Sequence, residues 1–352
     1  MKLKPLIIGD LKAEVPIIQG GMGVGISLSS LAGAVAKEGA IGIISAAQPG
    51  YKDEKSFGEH SAETNFEALK YHIKEAKRIS NGGIIGVNVM RASRRYDEYI
   101  KCCIDGGADI IISGAGLPIE LPALLKDTNV KFAPIVSSLK AIKVLFKMWD
   151  RRYKTISDFV VIEGPKAGGH LGFSPEELEK NDFSNYDEEV VKIIEYVKEF
   201  EEKYNKSIPV IFAGGVYDRS DIDHYMSLGC SGVQMATRFV ATEECDADIK
   251  YKMAYVNAKK EDIVIVKSPV GMPGRAIRND FIKLREKERE NVTKCYRCLD
   301  HCNPKETPYC ITSALVRAVK GDVDNSLIFC GENAYRIDKI VTVKELLDEL
   351  NN

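Results

Sequence analysis

Three groups of residues in this sequence could do chemistry: a bunch of cysteines, one histidine and a recurring set of glycines. Cys102, Cys103, Cys230, Cys245 and Cys330 are scattered, whereas Cys295, Cys298, Cys302 and Cys310 fall within 16 residues. Four thiolates that close together can wrap one tetrahedral zinc or one iron–sulfur cluster. In a reducing compartment a metal site, or simply free thiols, is expected before disulfides. His170 sits in the run Glu163-Gly164-Pro165-Lys166-Ala167-Gly168-Gly169-His170-Leu171-Gly172-Phe173. An imidazole there can give or take a proton near neutral pH, unless it is a surface histidine on a flexible loop. His60, His72 and His224 lie on polar or helical stretches and read as structural or solvent-facing.

Glycine recurs in Gln19-Gly20-Gly21-Met22-Gly23, Ser113-Gly114-Ala115-Gly116, Glu163-Gly164 and Ala213-Gly214-Gly215. Asn88-Val89-Met90 and Met235-Ala236-Thr237 are comparable short turns. Without a Cβ, glycine lets backbone N–H groups come close to a bound group. Many such turns around one rim imply a large flat ligand with a phosphate tail. No GxGxxG fingerprint joins a strand to a helix, because Gly21-Met22-Gly23-Val24-Gly25 has the wrong spacing. A nicotinamide cofactor would therefore bind only transiently. HExxH, GxSxG and Walker A patterns are absent, which disfavours zinc peptidase, serine hydrolase and P-loop NTPase readings.

Each of these turns follows a short apolar run. Candidate strands are 16–19, 41–45, 84–89, 109–113, 132–136, 159–162, 210–213 and 232–235, mostly rich in Val and Ile as doubly buried strands should be. Helical stretches lie between them, including 28–37, 66–79, 96–103, 139–149, 188–204 and 221–228. Ser174-Pro175-Glu176-Glu177 combines an N-cap serine, a proline at N1 and a glutamate at N3. Alternating β and α predicts a parallel sheet with right-handed crossovers. Eight units predict a TIM (β/α)8 barrel, with an open doubly wound sheet as the rival. In a barrel the active site lies at the C-terminal ends of the strands, and the loops after strands 7 and 8 cradle phosphate. That assigns a phosphate to the Gly214-Gly215 and Ala236-Thr237 turns. The expected division is a barrel over 1–290 and a cysteine-rich C-terminal extension over 291–352. The charged run 283–290 reads as a solvated helix between them.

Bulk properties narrow the partners. A formal net charge of −2 provides no field to draw the chain to nucleic acid or an anionic membrane. No apolar run approaches the ~20 residues of a membrane helix, and the N-terminus lacks the apolar stretch of a signal peptide. The expected location is cytoplasmic.

Six ordered segments carry a family resemblance. They are Pro16-Ile17-Ile18-Gln19-Gly20-Gly21-Met22, Gly86-Val87-Asn88-Val89-Met90, Gly114-Ala115-Gly116, 163–170, Ala213-Gly214-Gly215 and 234–239. The chain resembles the nitronate monooxygenase (2-nitropropane dioxygenase-like) flavoproteins, which include the FMN-dependent enoyl-acyl-carrier-protein reductases of bacteria. The resemblance is good over roughly the first 240 residues and continues loosely through Gly274-Arg275-Ala276-Ile277-Arg278-Asn279. It implies the barrel and non-covalently bound FMN. The Gly21–Met22 backbone and Asn88 would face the isoalloxazine, with Gly114 and Glu163 in the same cofactor set. Gly169 would lie near the ring or ribityl chain, and Gly214, Gly215, Ala236 and Thr237 would hold the phosphate. His170 falls at the family's active-site histidine. It would be a base or hydrogen-bond partner in nitronate oxidation, and would position or protonate the substrate in enoyl reduction.

Some residues depart from the pattern. Ala236 stands where many relatives have glycine. Ala133-Pro134-Ile135-Val136-Ser137-Ser138 lacks the lysine that some nitronate oxidisers carry after the fifth strand. That segment and Gly114-Ala115-Gly116-Leu117-Pro118 look more like the reductase branch. The Cys295, Cys298, Cys302, Cys310 module is absent from simpler members. It loosely resembles the four-cysteine segment after the barrel in iron–sulfur flavin ene-reductases, with Pro304 close to Cys302. A [4Fe-4S] cluster there would accept electrons from a ferredoxin-like donor, whereas zinc would only staple the tail. The expected reaction is reduction of an activated C=C, such as an enoyl thioester, with NAD(P)H or an electron carrier as reductant. Oxidation of alkyl nitronates by O2 is the alternative. From another class, a non-catalytic barrel that binds a phosphorylated ligand also fits the glycines. An inosine-monophosphate-dehydrogenase-like enzyme would need a catalytic cysteine loop that is not evident. A homodimer is compatible with all of these.

Overall fold

The computed structural model describes residues 2–53 and 56–352. Eight parallel strands close into a barrel: β1 (Ile17–Gln19), β2 (Ile41–Ser45), β3 (Ile84–Met90), β4 (Ile110–Gly114), β5 (Lys131–Val136), β6 (Val160–Glu163), β7 (Val210–Ala213) and β8 (Gly232–Met235). Closure is made by β8 pairing with β1, with Val233 opposite Ile17. This removes the open doubly wound alternative. All eight strands expected from the sequence are present, with no end displaced by more than one residue.

The residue pattern explains closure. Side chains alternate along each strand. Ile18, Ile43, Ile110, Ile112, Val161 and Ile211 pack in one cluster inside the barrel. Ile17, Ile44, Val87, Ile111, Ile162 and Val233 belong to the cluster shared with the surrounding helices. Strands apolar on both faces suit no position with a solvated side. The hairpin Leu6–Ile8/Leu11–Ala13, not anticipated from the sequence, adds Leu6, Ile8 and Ala13 to the interior cluster. With Lys131 at the start of β5 paired to Asp10 at 2.6 Å, it closes the end where the strands begin.

Helices follow the expected spacing, several running longer than expected, with one correction. The helix expected over 66–79 runs Ser61–Ser80. Its polar first turn is held by Asn65, whose Oδ1 accepts the Gly50 N–H at 2.9 Å and whose Nδ2 donates to Gln48 Oε1 at 2.8 Å. Periodicity could not reveal that tertiary tie. The charged run expected to be a solvated helix over 283–290 is instead the end of a short helix, Asp280–Arg285, followed by turns. Arg285 lies over the Phe281 ring at 5.7 Å, and Glu290 accepts the Cys310 N–H at 3.1 Å and an Arg317 N–H at 3.1 Å. The Ser174 capping box is present as expected.

The C-terminal part is woven into the barrel. Pro273–Ile277 pairs with Ile263–Lys267 on one side and with Gly169–His170 on the other, antiparallel in both cases. The helix Val343–Asn351 is capped by Thr342 and Glu345, and buries Leu346, Leu347 and Leu350 in the same cluster as Leu31 and Val35 of the helix Ser29–Lys37.

Trp149 tests the outer packing. It is fully buried, meets Phe132 edge-on with ring centroids 5.6 Å apart, and donates its indole N–H to the Ile119 carbonyl at 3.0 Å. Trp149→Ala should lower unfolding stability by about 3–5 kcal/mol. Urea denaturation measures it, and a loss below ~1 kcal/mol would mean the helix Leu139–Tyr153 is not seated as described.

Candidate active site

The C-terminal ends of the strands surround one cleft with a cavity of ≈ 270 Å³. Gly21, Met22, Asn88, Gly114, Glu163, Gly169, His170, Gly214, Gly215, Ala236 and Thr237 all line it. Every cofactor and catalytic candidate read from the sequence therefore meets at one place, although the residues span more than 200 positions of chain.

The floor is held by side chains that tie strand to strand. Gln19 is fully buried; its Oε1 accepts the Ile43 N–H and its Nε2 donates to the Ile43 carbonyl, both at 3.1 Å. Gly21 has no room for a side chain, because a Cβ there would collide with Asn88. The Met22 N–H is held by Ser27 Oγ at 2.8 Å, which fixes the turn after β1.

His170 differs from its sequence-based picture in two respects. It is not on a free loop: Gly169 and His170 form a short strand paired to Arg275 and Gly274. Its Nε2 lies 2.7 Å from Ser268 Oγ, and its ring meets Phe329 edge-on at 5.0 Å. Burial pushes its pKa down to about 4, so the ring is neutral at physiological pH. At neutral pH the ring therefore hydrogen-bonds as a neutral imidazole. The strand itself is anchored by Arg275, which is 8% exposed and donates to the carbonyls of Pro165, at 2.9 Å, and Ala167.

Glu163 ends β6, and its pKa is pushed up to about 8 by burial. Its carboxyl is accordingly protonated, and a hydrogen-bond donor, at neutral pH. Tyr186 O–H donates to the Glu163 carbonyl at 3.1 Å and to the Ser137 carbonyl at 2.9 Å, which joins the ends of β6 and β5.

At the far end, Gly214 adopts φ +100°, a left-handed conformation that favours glycine, and a Cβ would stand 2.8 Å from the Gly164 carbonyl oxygen. The Lys166 stem lies against Gly215, so a cation flanks this turn. Asn333 Nδ2 donates to the Gly215 carbonyl at 2.7 Å, and Thr237 Oγ1 accepts the Gly331 N–H at 3.2 Å. The Thr237 hydroxyl hydrogen remains available to a ligand. Sequence reasoning missed Lys166, Ser268, Arg275, Phe329 and Asn333 as site residues. Lys166 and Arg275 had a signal, in the 163–170 and 274–279 segments.

Cys295, Cys298, Cys302 and Cys310 together line a second, smaller cavity of ≈ 40 Å³. Cys298, Leu299 and Ile311 line both cavities, so the two share a wall. Among the described residues, no three His, Cys, Asp or Glu side chains converge on a point where one metal ion could sit. No helix of the described residues is long and apolar enough to cross a membrane.

Comparison with known proteins agrees with this geometry. The family described as nitronate monooxygenase matches residues 4–352. A probable nitronate monooxygenase of Staphylococcus saprophyticus is 26% identical over 314 residues, covering 82% of this chain and 83% of that protein. One from Staphylococcus aureus is 28% identical over 298 residues, 78% of each. Among solved structures, FabK from Thermotoga maritima aligns with a TM-score of 0.71 at 28% identity, covering 95% of this chain and 91% of that one. Nitroalkane oxidase from Streptomyces ansochromogenes shares the fold, with a TM-score of 0.71 at 19% identity and coverage of 95% and 94%. The family match takes in the barrel, the strand that carries His170 and the helix that ends at Asn351, so the chain belongs to the nitronate monooxygenase family, a family of FMN-type oxidoreductases.

Proposed function

We propose that the cleft binds FMN and reduces an activated C=C of the enoyl thioester type. FMN fits the residues present. Gly21, Met22, Asn88, Gly114, Glu163 and Gly169 would contact the ring and ribityl chain. Gly214, Gly215, Ala236 and Thr237 would hold the phosphate through backbone N–H groups and one hydroxyl, with Lys166 balancing its charge. When bound, FMN supplies a two-electron carrier that takes reducing equivalents from NAD(P)H, or singly from a ferredoxin-like donor, and delivers them as hydride.

The observation that carries the reading is His170, half-buried on the cleft and held neutral against Ser268. A neutral imidazole can hydrogen-bond the carbonyl that activates an enoyl group. It offers no positive charge to an anionic nitronate. Apolar side chains from Met22, Val270, Met272, Leu315 and Phe329 add an apolar lining suited to an acyl chain. The loop after β5, without a lysine, supports the same reading. Nitronate oxidation with O2 is the second reading, favoured by the staphylococcal relatives described as probable nitronate monooxygenases.

Mixing the purified chain with an enoyl thioester under anaerobic conditions, with NAD(P)H or reduced ferredoxin, should give saturated product and reoxidise the reduced flavin. Oxygen consumption with an alkyl nitronate, and no enoyl turnover, would instead establish the second reading. Absence of flavin from the purified chain would overturn both. His170→Ala should lower kcat by on the order of 10²–10³, the cost of one lost hydrogen-bond donor to the substrate carbonyl, with FMN content unchanged. Loss of FMN would make the 169–170 strand a cofactor clamp instead. Because the ring pKa lies at about 4, the wild-type pH–rate profile should show no histidine limb between pH 5 and 8.

Glu163 predicts a stability effect. Below its unfolded pKa, near 4.5, the carboxyl is protonated in both states. As pH rises from there to about 8, only the unfolded chain gains by ionising, so wild-type stability falls across that window and then levels. Glu163→Gln has no such loss. Its advantage over wild type should grow between pH 5 and 8.5 by a few kcal/mol at most, since each pKa unit is worth about 1.4 kcal/mol and the carboxyl keeps some surface on the cleft. Urea denaturation at the two pH values measures it, and an equal gap at both would show that Glu163 ionises normally.

A further inference from the structure

We propose that Cys295, Cys298, Cys302 and Cys310 bind an iron–sulfur cluster in the wall of the cleft. This goes beyond the flavin chemistry and does not depend on it. The four thiols are gathered around a single cavity of ≈ 40 Å³, whose lining also includes Pro304, Thr307 and Ile311. One water occupies about 10–15 Å³ of such space, so the cavity is larger than a single ion requires. Zinc draws its thiolates to about 2.3 Å from one centre, whereas an iron–sulfur cluster holds its four thiolates around a core of several atoms.

The segment is held in place by the barrel. Arg94 N–H donates to the Cys298 carbonyl at 3.0 Å, Gly58 N–H to the Cys295 carbonyl at 3.2 Å, and Ser93 bridges Leu299. The Cys310 N–H is fixed by Glu290. Thr307, on the wall of the same cavity, donates its O–H to the Tyr309 carbonyl at 3.1 Å, which fixes the turn leading into Cys310. Cys295 is exposed while the other three are half-buried, which gives iron and sulfide an entry path. The remaining cysteines, Cys102, Cys103, Cys230, Cys245 and Cys330, are all buried. Since Cys298 also faces the cleft, the cluster would adjoin whatever the cleft holds.

The test is anaerobic purification of the full chain, and reconstitution with ferrous iron and sulfide, with iron, acid-labile sulfide, zinc and flavin counted separately. The expected result is iron and sulfide in equal numbers, about four of each for a cubane, with broad absorption near ~400 nm that bleaches with dithionite. Cys295→Ser and Cys302→Ser should each lose most of the iron and sulfide while the thermal unfolding midpoint stays within a few degrees. Cys102→Ser, outside the module, should keep them. Retention of the cluster by both Cys295→Ser and Cys302→Ser would overturn the assignment. So would zinc in place of iron, or a wild-type chain that holds no metal and whose four thiols titrate freely. A chain with a full cluster and no flavin would refute the proposed function and leave this site standing.

Discussion

The cleft depends on one buried guanidinium. Arg275 brings its charge in from a strand more than 100 residues downstream of β6 and spends it on the carbonyls of Pro165 and Ala167. A buried charge is costly unless its hydrogen-bonding groups are satisfied, and the loop after β6 supplies acceptors that no secondary structure would otherwise use. The remaining geometry follows. Pro273–Ile277 is brought alongside Gly169–His170, Ser268 comes within hydrogen-bond reach of His170, and Phe329 closes on the ring. Without that contact, the residues around His170 would be a glycine-rich loop with no fixed aim.

The same burial sets the charge state of the site. His170 is kept neutral and Glu163 is kept protonated, both because charging them would cost solvation. The reacting end is thus lined with neutral hydrogen-bonding groups and apolar side chains. The opposite end presents backbone turns at Gly214 and Ala236 with Lys166 beside them. A ligand with a neutral ring at one end and an anionic phosphate at the other matches this division.

The segment after the barrel strands builds part of the site. It contributes one strand against the His170 strand, residues 329–333 along the cleft, and the cysteine segment in its wall. Its last helix shares an apolar cluster with the first barrel helix, so the site and the outer core are bound together.

Sequence by itself determined the local elements and the rim. Val- and Ile-rich runs at 41–45 and 84–89 are legible because a doubly buried strand needs apolar side chains on both faces, and that need is written in consecutive residues. Gly21 and Gly214 are legible because a close approach or a left-handed φ excludes side chains. Helix caps such as Ser174 are legible for the same local reason. Tertiary structure decided what depends on distant pairing. Periodicity carries no trace of Asn65 holding Gly50, of Arg275 holding Pro165, or of Ser268 meeting His170, because each contact joins residues from separate elements. It also decided protonation: His170 looks like an ordinary titrating histidine in the sequence, and only the walls around it, supplied by residues near 270 and 330, remove the water that would let it charge.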